Sequence, residues 1–394
     1  MKLRFTRAGT TRGPARKLIL AGLIAGVAIA GVATATIAGA STHHQGWKSY
    51  NSSSWQVSWR YKAVDSPADP TFTQLLGVNN NGSVVGYYGS GADATHPNKG
   101  FTISSPWTHR NNWRWQNFPG SVQTQVVAIN TFGATVGFFV TRTGANYGFV
   151  KWNGHTWPVA YPKTPHKNAF NQLLGVNDNG IASGFYNDAA GNSHGYLYNI
   201  RTRTFFLLRV PVRATSVVIT GINNSNVIVG FVVVGKVTVA FVVKNGVFHQ
   251  LSFGGKTNTQ ALGVNSSGSV VGSYLDAGGK LHGFLWTTTG LHTINSPWGT
   301  GGTLINGLND RGVLVGFFID AKGRTRGFLV VANTTKATNY WWTGNFGGTI
   351  APTTPRPSAS NGWPSIGPSA SPGAVTNGGN LTNGGTNANS GTHW

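Results

Sequence analysis

A twelve-residue pattern returns six times along this chain at intervals of 42 to 51 residues, and no other feature narrows the fold so far. It reads GVNNNGSVVGYY from Gly77, AINTFGATVGFF from Ala128, GVNDNGIASGFY from Gly175, GINNSNVIVGFV from Gly221, GVNSSGSVVGSY from Gly263 and GLNDRGVLVGFF from Gly307. Most copies are followed, eleven residues after their second glycine, by a Gly-aromatic pair such as Gly195-Tyr196 or Gly283-Phe284. Repeats of this length belong to propellers or solenoids, in which each unit buries its apolar face only against a neighbour.

Within one copy, an apolar run reaches Asn79, four residues turn the chain, and a second apolar run leaves it, which is a hairpin. Asn opens the turn in every copy (Asn79, Asn130, Asn177, Asn223, Asn265, Asn309), and Gly closes it in all but one. Asn accepts a local backbone hydrogen bond at the first place, and the fourth favours a residue that tolerates positive φ. The exception is Asn226, the best non-glycine occupant of that conformation. A turn such as Asp188-Ala-Ala-Gly191 leads to a third strand, and a fourth follows near 113–119, 155–161, 204–210, 247–253 and 291–296. Four strands to a unit make a propeller blade.

No fourth strand follows the sixth copy, but Trp59 to Pro67 resembles Trp113 to Pro119. Pairing of this early segment with the third strand of the last copy closes a ring and hides two sheet edges. The expected fold is therefore all-β, a six-bladed propeller over residues 41–335 completed by an N-terminal strand. A glycine inside each second strand (Gly86, Gly137, Gly184, Gly230, Gly272, Gly316) weakens a strand unless backbones approach closely there, and crowding of blades toward the axis is the expected reason.

The chain ends differ from the repeats. Six basic residues (Lys2, Arg4, Arg7, Arg12, Arg16, Lys17) precede the apolar run from Leu18 to Ala40, which ends in Ala38-Gly39-Ala40. Residues 1–40 read as a signal peptide or, uncleaved, as an N-terminal membrane anchor, and either places the repeats outside the cytoplasm. Residues 336–394, rich in Pro, Gly, Asn, Ser and Thr, read as a disordered tail, with Trp341, Trp342 and Trp363 as its apolar exceptions.

Charge and composition bound the chemistry. There are 30 Lys and Arg, 8 acidic residues (all Asp) and no Cys, so disulfides and thiol chemistry are excluded. Without the leader, 24 basic against 8 acidic residues leave a net charge of +16. This favours anionic neighbours through nonspecific attraction.

The order GxNxxGxVVGxY followed by His194-Gly195-Tyr196 or His282-Gly283-Phe284 resembles the HAF-type extracellular repeat, named for a His-Ala-Phe triplet. The resemblance runs roughly from Leu75 to Val330, with Gly in place of the family's Ala in five triplets and His at only these two. It implies an exported propeller-like protein and transfers no catalytic residue.

The remaining candidates carry both a structural and a functional reading. His194 and His282 read as structural or solvent-facing, since a metal site needs several converging donors. Asp188, Asp276 and Asp320 read as turn caps, because Ala and Gly follow where a calcium loop needs oxygen donors. A glycosidase needs two carboxylates across its substrate, and Asp65, Asp69 and Asp93 are the aspartates left over. The stretch Trp107, His109, Arg110, Trp113, Arg114 and Trp115 is the candidate ligand-binding surface, because aromatic faces beside cations hold sugars and anions. Its competing reading is strand packing, as Trp113 and Trp115 alternate along a strand.

The expected function is non-catalytic binding of an anionic cell-wall polymer or glycan, with a channel-sited lyase or hydrolase and a structural spacer as alternatives. No metal or cofactor is implied, nucleic acid is disfavoured as a partner, membrane contact is confined to the leader, and a monomer is expected.

Overall fold

A computed structural model describes residues 48–51 and 58–333, apart from 93, 108, 252 and 255. The signal-peptide or anchor reading of residues 1–40 and the tail reading of 336–394, with Trp341, Trp342 and Trp363, lie outside the described residues. The described chain is all β, with one short 3-10 turn at Arg110–Asn112. Among the described residues no helix is long and apolar enough to cross a membrane.

Six antiparallel sheets form the blades of a β-propeller. Blade 1 contains Thr73–Val78, Val84–Tyr88, Lys99–Ile103 and Trp113–Trp115, and blades 2 to 5 repeat this order from Gln123, Asn171, Ser216 and Thr257. Blade 6 begins at Gly302–Leu308 and ends in the N-terminal strand Ser58–Ala63, which pairs antiparallel with Thr325–Asn333 in the register Trp59 to Ala332, Tyr61 to Val330 and Ala63 to Phe328. The ring closure expected from Trp59 onward is thus formed. A further strand, Lys48–Asn51, lies outside Ser58–Ala63 and makes this blade five-stranded. The fourth strands of blades 1 and 3, Trp113–Trp115 and Phe205–Leu207, are shorter than the sequence pattern indicates, each followed by one more backbone bond to the third strand, from Gln116 and Leu208.

Each gap between neighbouring blades holds an apolar cluster. Leu75, Phe101 and Trp113 of blade 1 meet Val315 and Leu329 of blade 6, while Val150 and Val159 of blade 2 meet Tyr196 and Tyr198 of blade 3. A blade buries both faces only between two neighbours, so closure stabilises all six.

Every first strand carries a β-bulge at the same place, between Leu75 and Gly77 in blade 1 and between Ile305 and Gly307 in blade 6. A bulge re-aims the extra side chain, and the six extra residues (Leu76, Val127, Leu174, Thr220, Leu262, Asn306) line the axis. The glycine after the bulge is where blades crowd together: a Cβ on Gly77 would sit 2.8 Å from the Val127 carbonyl oxygen of blade 2. The axial crowding expected at Gly86, Gly137, Gly184, Gly230, Gly272 and Gly316 lies instead inside their own blades. A Cβ on Gly272 would fall 1.8 Å from the Gln260 carbonyl oxygen and 2.8 Å from the Phe284 ring.

Candidate functional site

The Asn that opens each first turn does two jobs at once. Its Oδ1 accepts the N–H four residues on, at 2.8 to 3.0 Å, and so caps the turn. Its Nδ2 donates to the main-chain oxygen of the corresponding Asn in the next blade. The sequence 79, 130, 177, 223, 265, 309 and back to 79 closes a cycle of six such bonds of 2.8 to 3.4 Å around the axis. At the last turn position Asn226 has φ of +59° and Gly180 has +77°, the left-handed conformation that the pattern of Asn and Gly requires.

The residue after each of these Asn forms a second ring at the axial mouth: Asn80, Thr131, Asp178, Asn224, Ser266 and Asp310. Asp178 accepts from the Thr131 N–H at 2.7 Å and from Asn224 Nδ2 at 2.9 Å. Asp310 accepts from the Ser266 N–H at 2.7 Å and Asn80 Nδ2 at 2.7 Å. These carboxylates tie neighbouring blades together.

The mouth encloses about 80 Å³ and the apolar waist below it about 40 Å³. The apolar waist is a narrow plug with room for a few waters.

The tryptophan-rich stretch of blade 1 divides between core and surface. Trp107 and Trp113 are buried in the gap with blade 6; Trp107 donates its Nε1–H to the Gly82 carbonyl at 2.8 Å, and Trp113 packs against Phe101 with centroids 4.7 Å apart. Trp115 is 48% exposed and meets Tyr88 edge-on. His109 and Arg110 are exposed on the turn, at the other end of this short strand. Arg114 bends back to its own segment, donating to the Asn111 carbonyl at 2.6 Å. The six residues therefore do not converge on one ligand.

The described aspartates are all engaged within the fold. Asp188 takes the N–H groups of Ala190 and Asn192 on Oδ1 and His194 Nε2 on Oδ2, at 2.8 Å. Asp276 repeats this with His282 at 2.9 Å. Each imidazole also stacks on a tyrosine, Tyr186 or Tyr274. The hydrogen bond from the histidine is the main reason both carboxyls lie below the usual range. Asp320 caps its turn similarly and pairs with Arg324 at 2.7 Å; burial raises its carboxyl, and the Arg324 side chain and the backbone N–H groups outweigh that and hold it below the usual range.

Asp69 caps Thr71 and Phe72. Asp65 meets Arg326 across the ring closure, with Arg326 Nε at 3.0 Å and a second contact from Nη2. Burial is the larger influence on Asp65 and raises its carboxyl despite the guanidinium beside it. Asp93 lies outside the described residues.

Sequence reasoning treated the histidines and the turn aspartates separately, yet a D-x5-H spacing at 188/194 and 276/282 marks the pair. It also missed a second aromatic and cationic locus. Arg201 and Arg203 of blade 3 lie over Trp152 and Trp157 of blade 2, with guanidinium carbons 5.9 and 5.6 Å from the ring centroids. The sequence signal was the Arg-Thr-Arg turn one repeat after the paired tryptophans.

The cations are unevenly placed. At the end of the propeller formed by the second-to-third turns and the interblade links, blades 2 to 4 expose Arg142, Lys163, Lys167, Arg209, Arg213 and Lys236. The one described carboxylate in that arc is Asp188, which already holds His194. No group of three or more His, Asp or Glu among the described residues is arranged to hold a metal ion.

No protein-family model and no curated protein matches this chain. Among solved structures it is similar to TolB from Acinetobacter baumannii (10% identity, 62% of this chain and 63% of that one, TM-score 0.40). It is also similar to a mutant of the Aleuria aurantia lectin AAL in complex with a fucosyl-GlcNAc (10%, 69% and 98%, TM-score 0.42). A mutant of AofleA from Arthrobotrys oligospora aligns at 9% identity over 71% of this chain and 83% of that one, with a TM-score of 0.39. The six-bladed architecture rests on the sheet topology above, not on these likenesses.

Proposed function

We propose that this protein is an exported, non-catalytic binding module for an anionic cell-wall polymer or glycan, built on repeats of the HAF extracellular type. One observation carries the reading: no described carboxylate forms an ion pair with the exposed lysines and arginines of blades 2 to 4, because the described aspartates are held in turns, the axial ring and the closure pair. A surface so arranged attracts polyanions, and the attraction weakens with salt. The same bookkeeping disfavours glycoside hydrolysis, which requires two carboxylates facing one bond. The lectin mutant named above is in complex with a fucosyl-GlcNAc; the proposal does not depend on that likeness.

The test is retention of the purified protein on isolated cell walls. Retention at low salt that is released at high salt is the expected result, and no retention at any ionic strength overturns the proposal.

A further inference from the structure

Blade 2 ends in a hairpin at Asn153-Gly154 whose flanks carry Trp152 and Trp157, both half-buried against the tyrosine-rich face of blade 3. The Trp157 Nε1–H points at the Tyr198 hydroxyl, 3.4 Å away. The matching turn of blade 3 brings Arg201 over Trp152 and Arg203 over Trp157. Both arginines are exposed, and no described carboxylate pairs with either.

The turn that carries them is held firmly. Asn199 Oδ1 accepts the N–H groups of Arg201 at 2.9 Å and Thr202 at 3.1 Å, and the Asn199 carbonyl accepts the Arg203 N–H at 2.8 Å. Arg203 itself sits at φ of +57°, a conformation that a non-glycine residue adopts only when the surroundings impose it. Blades 2, 4 and 5 turn in two residues at the same place, Asn153-Gly154, Asn245-Gly246 and Thr288-Thr289, so the longer arginine-bearing turn is particular to blade 3.

A guanidinium drawn toward an indole face by cation–π attraction keeps donors free for a second partner. Two such forks lie two residues apart, with the exposed Lys151 and His155 on the adjoining hairpin. The geometry points to a paired oxyanion-binding site at the rim between blades 2 and 3, taking carboxylate or phosphate groups spaced along an anionic wall polymer. This rests on the binding function proposed above and names its recognition element. The tryptophans hold the arginines in place, and the arginines make the contact through bidentate hydrogen bonds.

The full-length protein is titrated against immobilised polygalacturonate, poly(glycerol phosphate) and neutral dextran. Three variants run beside it: R201K/R203K, which keeps charge and loses the forks, R201Q/R203Q, and K163Q/K167Q/R209Q/R213Q on the basic arc. Binding to one or both charged polymers and not to dextran is expected, and the polymer preferred identifies whether carboxylate or phosphate is the natural group. R201K/R203K is expected to weaken that binding at least tenfold with an unchanged melting temperature, and R201Q/R203Q at least as much.

If the wild type binds and R201K/R203K binds equally well, the rim site is wrong while the binding function stands, and loss confined to the arc variant relocates recognition to the arc. Absence of binding by the wild type to any charged polymer overturns the binding function itself.

Discussion

The axial asparagines show how one residue type can satisfy a turn and an interface together. Asn177 caps its own hairpin through the Ile181 N–H and reaches the Asn223 carbonyl of the next blade, both while almost wholly buried. Alanine at 177 leaves a buried N–H and a buried carbonyl without these partners, at about 1–3 kcal/mol for an unsatisfied group. A loss of roughly 2–3 kcal/mol in urea-induced unfolding is expected for Asn177→Ala. A loss below about 0.5 kcal/mol would show that water replaces the cycle. The turn role was legible in the sequence because Asn followed by Gly encodes local conformation; the interblade role was not, because nothing local distinguishes an Nδ2 that points outward from one that points to a neighbour.

The hairpins were legible as elements and their bulges were not. Asn and Gly mark the turns, whereas the bulged residue is Leu76, Val127, Thr220 or Asn306 according to the blade, and no residue type signals it. The outer strand Lys48–Asn51 left no trace in the repeat either, since it belongs to none. The second-to-third hairpins of blades 3 and 5 add a dependence on pH through Asp188–His194 and Asp276–His282. A carboxyl depressed in the folded state stabilises fully above its unfolded value, about 3.9, and that stability is lost as pH falls through the folded value. Melting temperature is therefore expected to fall as pH drops below about 4, and less steeply in a D188N/D276N variant. Identical profiles for the two proteins would remove these pairs from the account.

Ring closure depends on two segments far apart in sequence, Ser58–Ala63 and Thr325–Asn333. The resemblance of Trp59 to Trp113 made it readable, but the Asp65–Arg326 pair beside it was not, as neither residue repeats. Removing one partner of a largely buried ion pair costs about 3–5 kcal/mol by general experience, reduced here by the remaining exposure of both side chains, 16% for Asp65 and 19% for Arg326. Asp65→Ala is expected to destabilise the whole propeller by roughly 2–3 kcal/mol, in a single cooperative transition, because all six interblade gaps depend on closure. The candidate surface was the least legible part. Tryptophan beside arginine describes both the core residues of blade 1 and the rim pair of blades 2 and 3, and only their placement separates packing from exposed recognition.

At this scale the proposed function requires that the described carboxylates stay held in turns, the axial ring and the closure pair while the exposed cations of blades 2 to 4 meet a polyanion. Equilibrium binding of the full-length protein to an anionic wall polymer, followed from about 50 to about 500 mM salt, tests it most directly, since the Debye length shrinks from roughly 14 to 4 Å over that range. The predicted result is a linear fall of log affinity with log salt whose slope corresponds to several displaced counterions. An affinity that does not change with salt, or none at the lowest salt, contradicts it.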